Sequence, residues 1–274
     1  MITLLRQIRW EQKQFWRNPP AAVFTFVFPL IFLFMLSMLF GDDTVDDVPG
    51  NPKFVPVFVP AIVAFGVISA CYTNVAFTLS VRRETGILKR KRGTPLPAAS
   101  YIGGIIGSVI VVAAILSAIT VVSGITVFDI TFPKVGERLP TLVVVLVVGA
   151  FCFSAWGIVV STVIPNQEAA PAIINVILFP LLFISGTFAR VRPGSTVDHV
   201  AQLFPVWHFN KACERIFRED TPGAAWRPRY LLALLAWGVA GVVIAVARFR
   251  WEPTEAAAGA PTSRRRGRRT TVSS

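Results

Sequence analysis

The chain has 274 residues, of which 54% are hydrophobic and only 15% are charged, and its mean hydropathy is +0.62. Soluble domains of this size seldom reach such a value, so the composition excludes an ordinary globular protein and indicates a membrane protein. The net charge of +12 also raises the question of nucleic acid. Anionic lipid accounts for the charge more simply, because the basic residues cluster beside the apolar segments, and no nucleic-acid partner is expected.

The apolar residues fall into long runs without charge. Each run has at least the roughly 18 to 20 residues that a helix needs to cross about 30 Å of hydrocarbon. The runs predict an all-α polytopic membrane protein with six transmembrane helices in a domain over 21–247. The first run is too long for a signal peptide and lacks a small-residue cleavage site, so we expect it to remain. The predicted spans are 21–40, 56–80, 101–127, 139–163, 169–189 and 230–247.

Residues 1–20, ahead of the first predicted span, have the periodicity of an amphipathic helix. Their basic side chains share one face, and apolar side chains such as Leu5 and Trp16 cover the other. Such a helix lies along the membrane surface with its basic face towards the headgroups, and Pro19 and Pro20 then end it. The basic face consists of Arg6, Arg9, Lys13 and Arg17.

The distribution of Lys and Arg predicts the orientation. Segments 1–20, 81–98 and 248–274 hold 17 of the 27 basic residues, and the connections on the opposite side have no net charge. By the positive-inside rule these three segments face the cytoplasm. We therefore expect a multi-pass protein of the cell (plasma) membrane with both termini in the cytoplasm. The tail 248–274 is predicted to be basic and disordered.

The segment between the second and third spans, RRETGILKRKRGTPLP (82–97), carries six basic residues. A short helix from about Arg82 to Arg92 would present Ile87 and Leu88 to a groove on a partner. The simpler alternative is a positively charged anchor that sets orientation.

Three further features concern the later spans. Gly103 and Gly107 have the spacing that allows two membrane helices to approach closely. Pro180 and the pair Ser185-Gly186 predict a kink or an early end in the fifth span. In 190–229, apolar stretches broken by Pro205 predict two short re-entrant helices before the last span.

The sequence has little catalytic chemistry. Its two histidines, His199 and His208, both lie in the predicted outer segment, and the spans contain no ionisable residue for ion coupling. The three cysteines form no metal-binding or redox pattern. The P-loop pattern GxxxxGK[ST] is absent as well, so the chain is predicted not to be an enzyme by itself and to bind no cofactor. Transport would then require a separate ATPase.

Four short motifs resemble those of ABC-2 type exporter permeases and occur in the family's order. The similarity is closest to the daunorubicin-resistance type of drug-efflux permease, although ARVRPGS after the third motif departs from the usual apolar residue and proline. The motifs are Arg17-Asn18-Pro19, the pattern E-x-G-x-L from Glu84 followed by Thr94-Pro95-Leu96, Phe183-Ile184-Ser185-Gly186-Thr187-Phe188, and Phe204-Pro205-Val206.

The resemblance implies a transport complex. Two copies of an ATPase subunit would bind ATP and Mg²⁺ and dock on a cytoplasmic coupling helix, and the permease would pair with a second copy or a related chain. The cargo would be an amphipathic drug or a lipid. A lipid-linked glycan as cargo, and a membrane scaffold without transport, remain alternatives. The coupling residues would be Arg82, Arg83, Glu84, Gly86, Ile87, Leu88, Thr94, Pro95 and Leu96, and the outer gate and re-entrant residues would be Ser185, Gly186, Phe188, Phe204, Pro205 and Trp207.

Overall fold

The computed structural model describes residues 2–41, 53–93, 97–128, 130, 132–188, 191–192, 194–218 and 220–248. These residues form helices and no β-strand, which confirms the all-α prediction. Thr94, Pro95, Leu96 and the tail after residue 248 lie outside the described residues. The helices are α1 (Ile2–Trp16), α2 (Pro19–Phe40), α3 (Phe54–Ile68), α4 (Asn74–Glu84), α5 (Ile87–Arg92), α6 (Ala98–Phe128), α7 (Val135–Ser161), α8 (Ala170–Ile184), α9 (Thr196–Ala201), α10 (Pro205–Phe217) and α11 (Pro228–Arg248).

Five of the helical stretches in the described part of the chain are long and apolar enough to cross a membrane. One of them is continuous through α3, a π-helical turn at Ser69–Thr73, and α4. The fifth predicted span, 169–189, instead forms the 15-residue helix α8, which is shorter than a bilayer-crossing helix. The predicted early end is confirmed, because Gly186 adopts a left-handed φ of +80° and turns the chain away after Ile184.

Successive long helices along the chain run in opposite directions, so the bundle has two ends. We call the end where α4 and α7 finish and α6 begins the Arg82 end. The end where α3 and α7 begin, together with α9 and α10, is the Arg138 end. Between them α3, the π-helical turn, α7 and α10 enclose the main apolar core. Most of α2, in contrast, exposes its apolar side chains, as lipid-facing helices do.

Helix α1 packs closely against the start of α6, along the glycines of the GGIIG sequence. A Cβ atom at Gly104 would lie 2.2 Å from Cγ of Gln7, and one at Gly107 would lie 2.6 Å from Cδ1 of Ile8. The glycine spacing therefore does permit a close helix contact. The partner helix in this contact is α1, whereas the sequence predicted that another membrane-spanning helix would be the partner.

Candidate functional site

A buried hydrogen-bond network at the Arg82 end joins α1, α4 and α6. Arg82 forms a bidentate ion pair with Glu11, with Nη2 2.6 Å from Oε2 and Nη1 3.1 Å from Oε1. It also donates to the hydroxyl of Tyr101 at 2.9 Å and to Oε1 of Gln14 at 2.7 Å. Because Arg82 and Glu11 are both buried, this pair is shielded from water and holds the three helices in register.

The partners of Arg82 lie on a third face of α1 that two-sided amphipathicity did not reveal. Gln7, Glu11 and Gln14 follow one another at intervals of four and three, and Gln7 donates to Glu11 at 2.9 Å. The signal available in the sequence was this polar stripe, which contains the one acidic residue of segment 1–20. As predicted, the basic side chains of α1 and the residue after it are exposed, namely Arg6, Arg9, Lys13 and Arg17.

The next two residues attach the same segment to α7 and to the turn that precedes α8. Arg83 is buried and donates to the carbonyl oxygen of Ser161 at 2.7 Å and to that of Ile164. The Ser161 carbonyl ends α7 and has no partner within the helix, and Ile164 lies three residues beyond it, so the guanidinium caps α7 and fixes the turn that follows. Glu84 accepts a hydrogen bond from the backbone N–H of Gln167.

The coupling segment differs from its predicted form. One helix from Arg82 to Arg92 was expected, but α4 ends at Glu84 and α5 begins at Ile87, separated by Gly86 with a φ of +72°. Left-handed backbone at this position favours glycine and sets the angle between the two helices.

The side chains of this segment also point differently from the prediction. Leu88, Arg82 and Arg83 were expected to face a partner, but they are buried within the chain. Leu88 packs with Leu79, Tyr101 and other apolar residues of α3–α4, α6 and α7, because an apolar pocket is available beside its own helix. Ile87 is half-buried, whereas Glu84, Lys89 and Arg90 are exposed.

The Arg138 end has its own buried arginine. Arg138 lies in the first turns of α7, where the sequence predicted a connecting segment, and its side chain is completely buried. It donates to four backbone carbonyls: Ile216 at 2.8 Å, Arg218 at 2.7 Å, Thr221 at 2.6 Å and Gly223 at 3.3 Å. The guanidinium thereby caps α10 and fixes the turn that follows it.

The predicted gate residues form a compact turn after α8. The hydroxyl of Ser185 donates to the carbonyl of Leu182 at 3.1 Å and lies 2.9 Å from the Thr187 hydroxyl. Phe188 turns back onto the bundle, with its ring 5.6 Å from that of Phe32 and 5.1 Å from that of Phe65. The turn therefore rests against α2 and α3.

The two predicted short helices are present as α9 and α10, and a buried carboxylate joins them. Asp198 accepts hydrogen bonds from Nε1 of Trp207 at 2.9 Å, the backbone N–H of Gly194 at 3.1 Å and the amide of Gln202 at 3.1 Å. Burial alone raises the pKa of Asp198, but these hydrogen bonds outweigh it and lower the pKa below its ordinary value. Phe204 and Pro205 begin α10, and Phe204 stacks on Trp237.

A cavity of about 850 Å³ opens at the Arg138 end, between α2, α3, the gate turn and α10. One wall is aromatic and the other is polar and charged, so the space suits an amphipathic molecule. Predicted gate residues Ser185, Gly186, Phe188 and Trp207 line it, whereas Phe204 and Pro205 do not. The aromatic wall consists of Phe32, Phe40, Phe54, Phe58 and Phe188, and the polar wall includes Asp198, Asn210, Lys211, Glu214 and Arg218.

A second groove, of about 280 Å³, lies beside the π-helical turn. It brings the polar side chains of Ser69, Thr73 and Asn74 next to Phe28 of α2 and Phe77 of α4. Widened helical turns of this type often occur at functional sites, and here the turn places polar groups in the middle of an apolar helix. No sequence pattern marks these residues, because isolated Ser, Thr and Asn side chains are common in membrane spans.

Comparison with known protein families shows to which family this chain belongs. The family model described as ABC-2 type transporter matches residues 4–215, from α1 into α10. The chain belongs to the ABC-2 type transporter family. This ABC-2 protein is therefore a multi-pass membrane permease subunit of an ABC transporter, and membership implies an ATP-binding partner. No curated protein matches the ABC-2 chain closely enough to add a substrate.

Proposed function

We propose that the chain is the membrane subunit of an ATP-driven exporter that moves an amphipathic, drug-like or lipid-like molecule outward. A separate ATPase, present in two copies, would bind ATP and Mg²⁺, and a second permease copy or a related chain would complete the pathway. The complex would lie in the plasma membrane, with the Arg82 end and both termini in the cytoplasm.

The observation that carries this proposal is the connectivity of segment 82–92. Its exposed side chains at Lys89 and Arg90 are available to a partner, whereas exposed Glu84 already accepts a hydrogen bond from the backbone of Gln167. Its buried side chains bind α1 and α6 through Arg82 and the end of α7 through Arg83. Because Arg82 and Arg83 belong to α4, a displacement of α5 by the ATPase would reach these helices through α4 and through the buried Leu88, which suits a shift between two packings of the bundle.

The distribution of polar groups supports an amphipathic cargo. The groove at the π-helical turn combines phenylalanines with uncharged polar side chains, and the cavity at the Arg138 end combines an aromatic wall with a charged one. Ion-coupled carriers usually hold an ionisable group within the membrane, whereas the ionisable residues of the described spans lie near their ends, as Arg82 and Arg138 do. External energy from ATP is the consistent alternative.

The test is export and ATP hydrolysis by the complex reconstituted in vesicles. Glu84→Ala and Gly86→Pro should leave the chain inserted but weaken transport of an amphipathic dye. Normal export by both variants would remove the segment from the mechanism.

Docking is tested separately by charge reversal. The double variant Lys89→Glu, Arg90→Glu should reduce the amount of ATPase that co-purifies with the permease. Arg229→Glu, an exposed arginine at the opposite end, is the matched control and should retain the ATPase. Equal loss in both variants, or in neither, would argue against docking at α5.

A further inference from the structure

A second cavity, of about 440 Å³, lies next to the large cavity at the Arg138 end. The two share Lys211, Glu214 and Arg218, which lie along one side of α10 and just after it. Because these side chains line both spaces, the two cavities adjoin each other at α10, and we treat them as two parts of one candidate site. We call this combined space the α10 cavity.

One part of the α10 cavity is apolar. The rings of Phe54 and Phe58 stack 5.0 Å apart, and Phe32 meets Phe188 edge to face at 5.6 Å. This wall offers no charge and would suit an apolar chain.

The other part has an excess of positive charge. The described lining residues include five basic and three acidic side chains. Each of the three carboxylates already has protein partners: Asp198 accepts from Trp207, Glu214 pairs with Lys211 at 2.7 Å, and Asp220 pairs with Arg218 at 2.6 Å. The excess of two positive charges therefore has no counterpart in the lining of the cavity.

Three of the five basic side chains, Arg192, Arg215 and Arg227, form no ion pair among the described residues, and Arg215 and Arg227 lie together in the second cavity. Within the described part of the chain, the Nε–H of Arg215 is buried without a hydrogen-bond acceptor. Burial and then the neighbouring charge of Arg227 lower the pKa of Arg215. A buried donor without a partner is costly, and a bound anion would satisfy it.

We propose that the α10 cavity binds an amphiphile with an anionic, phosphate-type headgroup. The headgroup would lie at Arg215 and Arg227, where guanidinium groups can form paired hydrogen bonds with phosphate oxygens, and the apolar chain would lie against the phenylalanine wall. This proposal rests on the proposed function, because it names the chemical class of the molecule that the exporter would move. Binding itself does not depend on transport.

The experiment measures lipid binding to the full chain purified with its ATPase, by native mass spectrometry. The probes are phosphatidylglycerol, phosphatidylcholine and inorganic phosphate. We expect phosphatidylglycerol to bind at least about tenfold more tightly than phosphatidylcholine. Both lipids carry a phosphate, but the two guanidinium groups would repel the trimethylammonium group of phosphatidylcholine. Arg215→Gln and Arg227→Gln should each reduce this preference about tenfold.

Two controls make the outcome decisive. Arg229→Gln removes an arginine that is engaged with Gln202 and lines neither cavity, so the preference should persist. Arg215→Lys should retain part of it. If Arg215→Gln fails to fold, Arg227→Gln carries the test, because Arg227 is exposed.

The proposal is wrong if the two lipids bind equally, or if the variant lacking both arginines keeps the preference. Displacement of phosphatidylglycerol by inorganic phosphate at similar concentration would also contradict the proposal. It would show a simple anion site to which the apolar chain of the lipid contributes nothing. A complex that binds phosphatidylglycerol but neither hydrolyses ATP nor exports would remove only the exporter function. A complex that exports without the lipid preference would remove only this inference.

Discussion

Both ends of the bundle bury an arginine, but the groups that accept hydrogen bonds from the two guanidinium groups differ. At the Arg82 end the guanidinium binds the Glu11 carboxylate and the side chains of Tyr101 and Gln14, which come from two other helices. At the Arg138 end it binds backbone carbonyls between residues 216 and 223, all from one stretch of chain.

The two arrangements have different physical consequences. Carbonyls are neutral, and they need a donor because α10 ends there, so Arg138 stabilises local backbone. Glu11 is a charge whose burial is tolerated only with its counterion, so the Arg82 pair stabilises the mutual position of separate helices. The first arrangement resembles a helix cap, and the second is a joint between elements.

The largest effect is expected from Arg138→Leu. The change removes four hydrogen bonds and leaves buried carbonyls without donors, which should lower the free energy of unfolding by about 5 kcal/mol. Thermal unfolding and protease cleavage after α10 would measure it. A decrease of less than about 1 kcal/mol in the free energy of unfolding would mean that water replaces the guanidinium. The proposed difference between the two ends would then be wrong.

At the Arg82 end, Arg82→Met and Glu11→Leu should each cost about 4 kcal/mol, because each leaves one member of a buried pair uncompensated. The double variant should recover most of that stability, since an apolar pair avoids the desolvation of two charges. A double-mutant cycle on thermal unfolding measures the coupling. Additive losses would contradict the interpretation of the pair as a joint.

Gly86→Ala should have a smaller effect, about 1 to 2 kcal/mol, because it places a Cβ on left-handed backbone. The space around Gly86 is open, so the cost is one of backbone conformation alone. Gly93→Ala is the matched control, since Gly93 has ordinary right-handed backbone and should tolerate alanine. Equal effects at both glycines would show that the α4–α5 angle does not require Gly86.

The smallest effect is a pH dependence confined to the Arg138 end. The pKa of His208 is lowered, mainly because the side chain is buried. The contact with the carbonyl of Gln202 raises the pKa in part, and the positive charge of Arg229 lowers it further. The unfolded chain, with a histidine pKa of about 6.5, then binds more protons than the folded one. Stability should therefore fall as the pH drops below about 6.5.

Hydrogen exchange, corrected for intrinsic rates, would locate this loss in α9 and α10. The α1 helix at the Arg82 end should not respond in this range, because both histidines of the sequence lie in α9 and α10. The variant His208→Gln should abolish the dependence. A uniform change across both ends would contradict it.

Much of the fold could be predicted from the sequence. Long charge-free runs can avoid water only in a membrane or a core, and a helix is the simplest way to satisfy their backbone there. Local signals also worked: Pro19-Pro20 separates α1 from the first span, and Ser185-Gly186 ends α8 early. The four motifs that resemble the family all lie within the matched region 4–215.

The candidate site was predicted less well. The basic segment 82–92 was selected for its charge, but charge does not indicate which side chains turn inward. Arg82, Arg83 and Leu88 do so because α1, α7 and α6 supply a carboxylate, helix-end carbonyls and an apolar pocket. None of these neighbours is adjacent in sequence.

The sequence by itself determined the class of the protein, five of its six predicted membrane-crossing elements, its amphipathic first helix and its family. These depend on properties of contiguous segments: hydropathy, periodicity and short motifs. The tertiary structure alone decided the pairing of Glu11 with Arg82, 71 positions apart, the capping of α10 by Arg138 and the cavity beside it. The physical reason is that a buried charge or carbonyl must be satisfied by whatever group packing brings within hydrogen-bond distance, and packing depends on the whole chain.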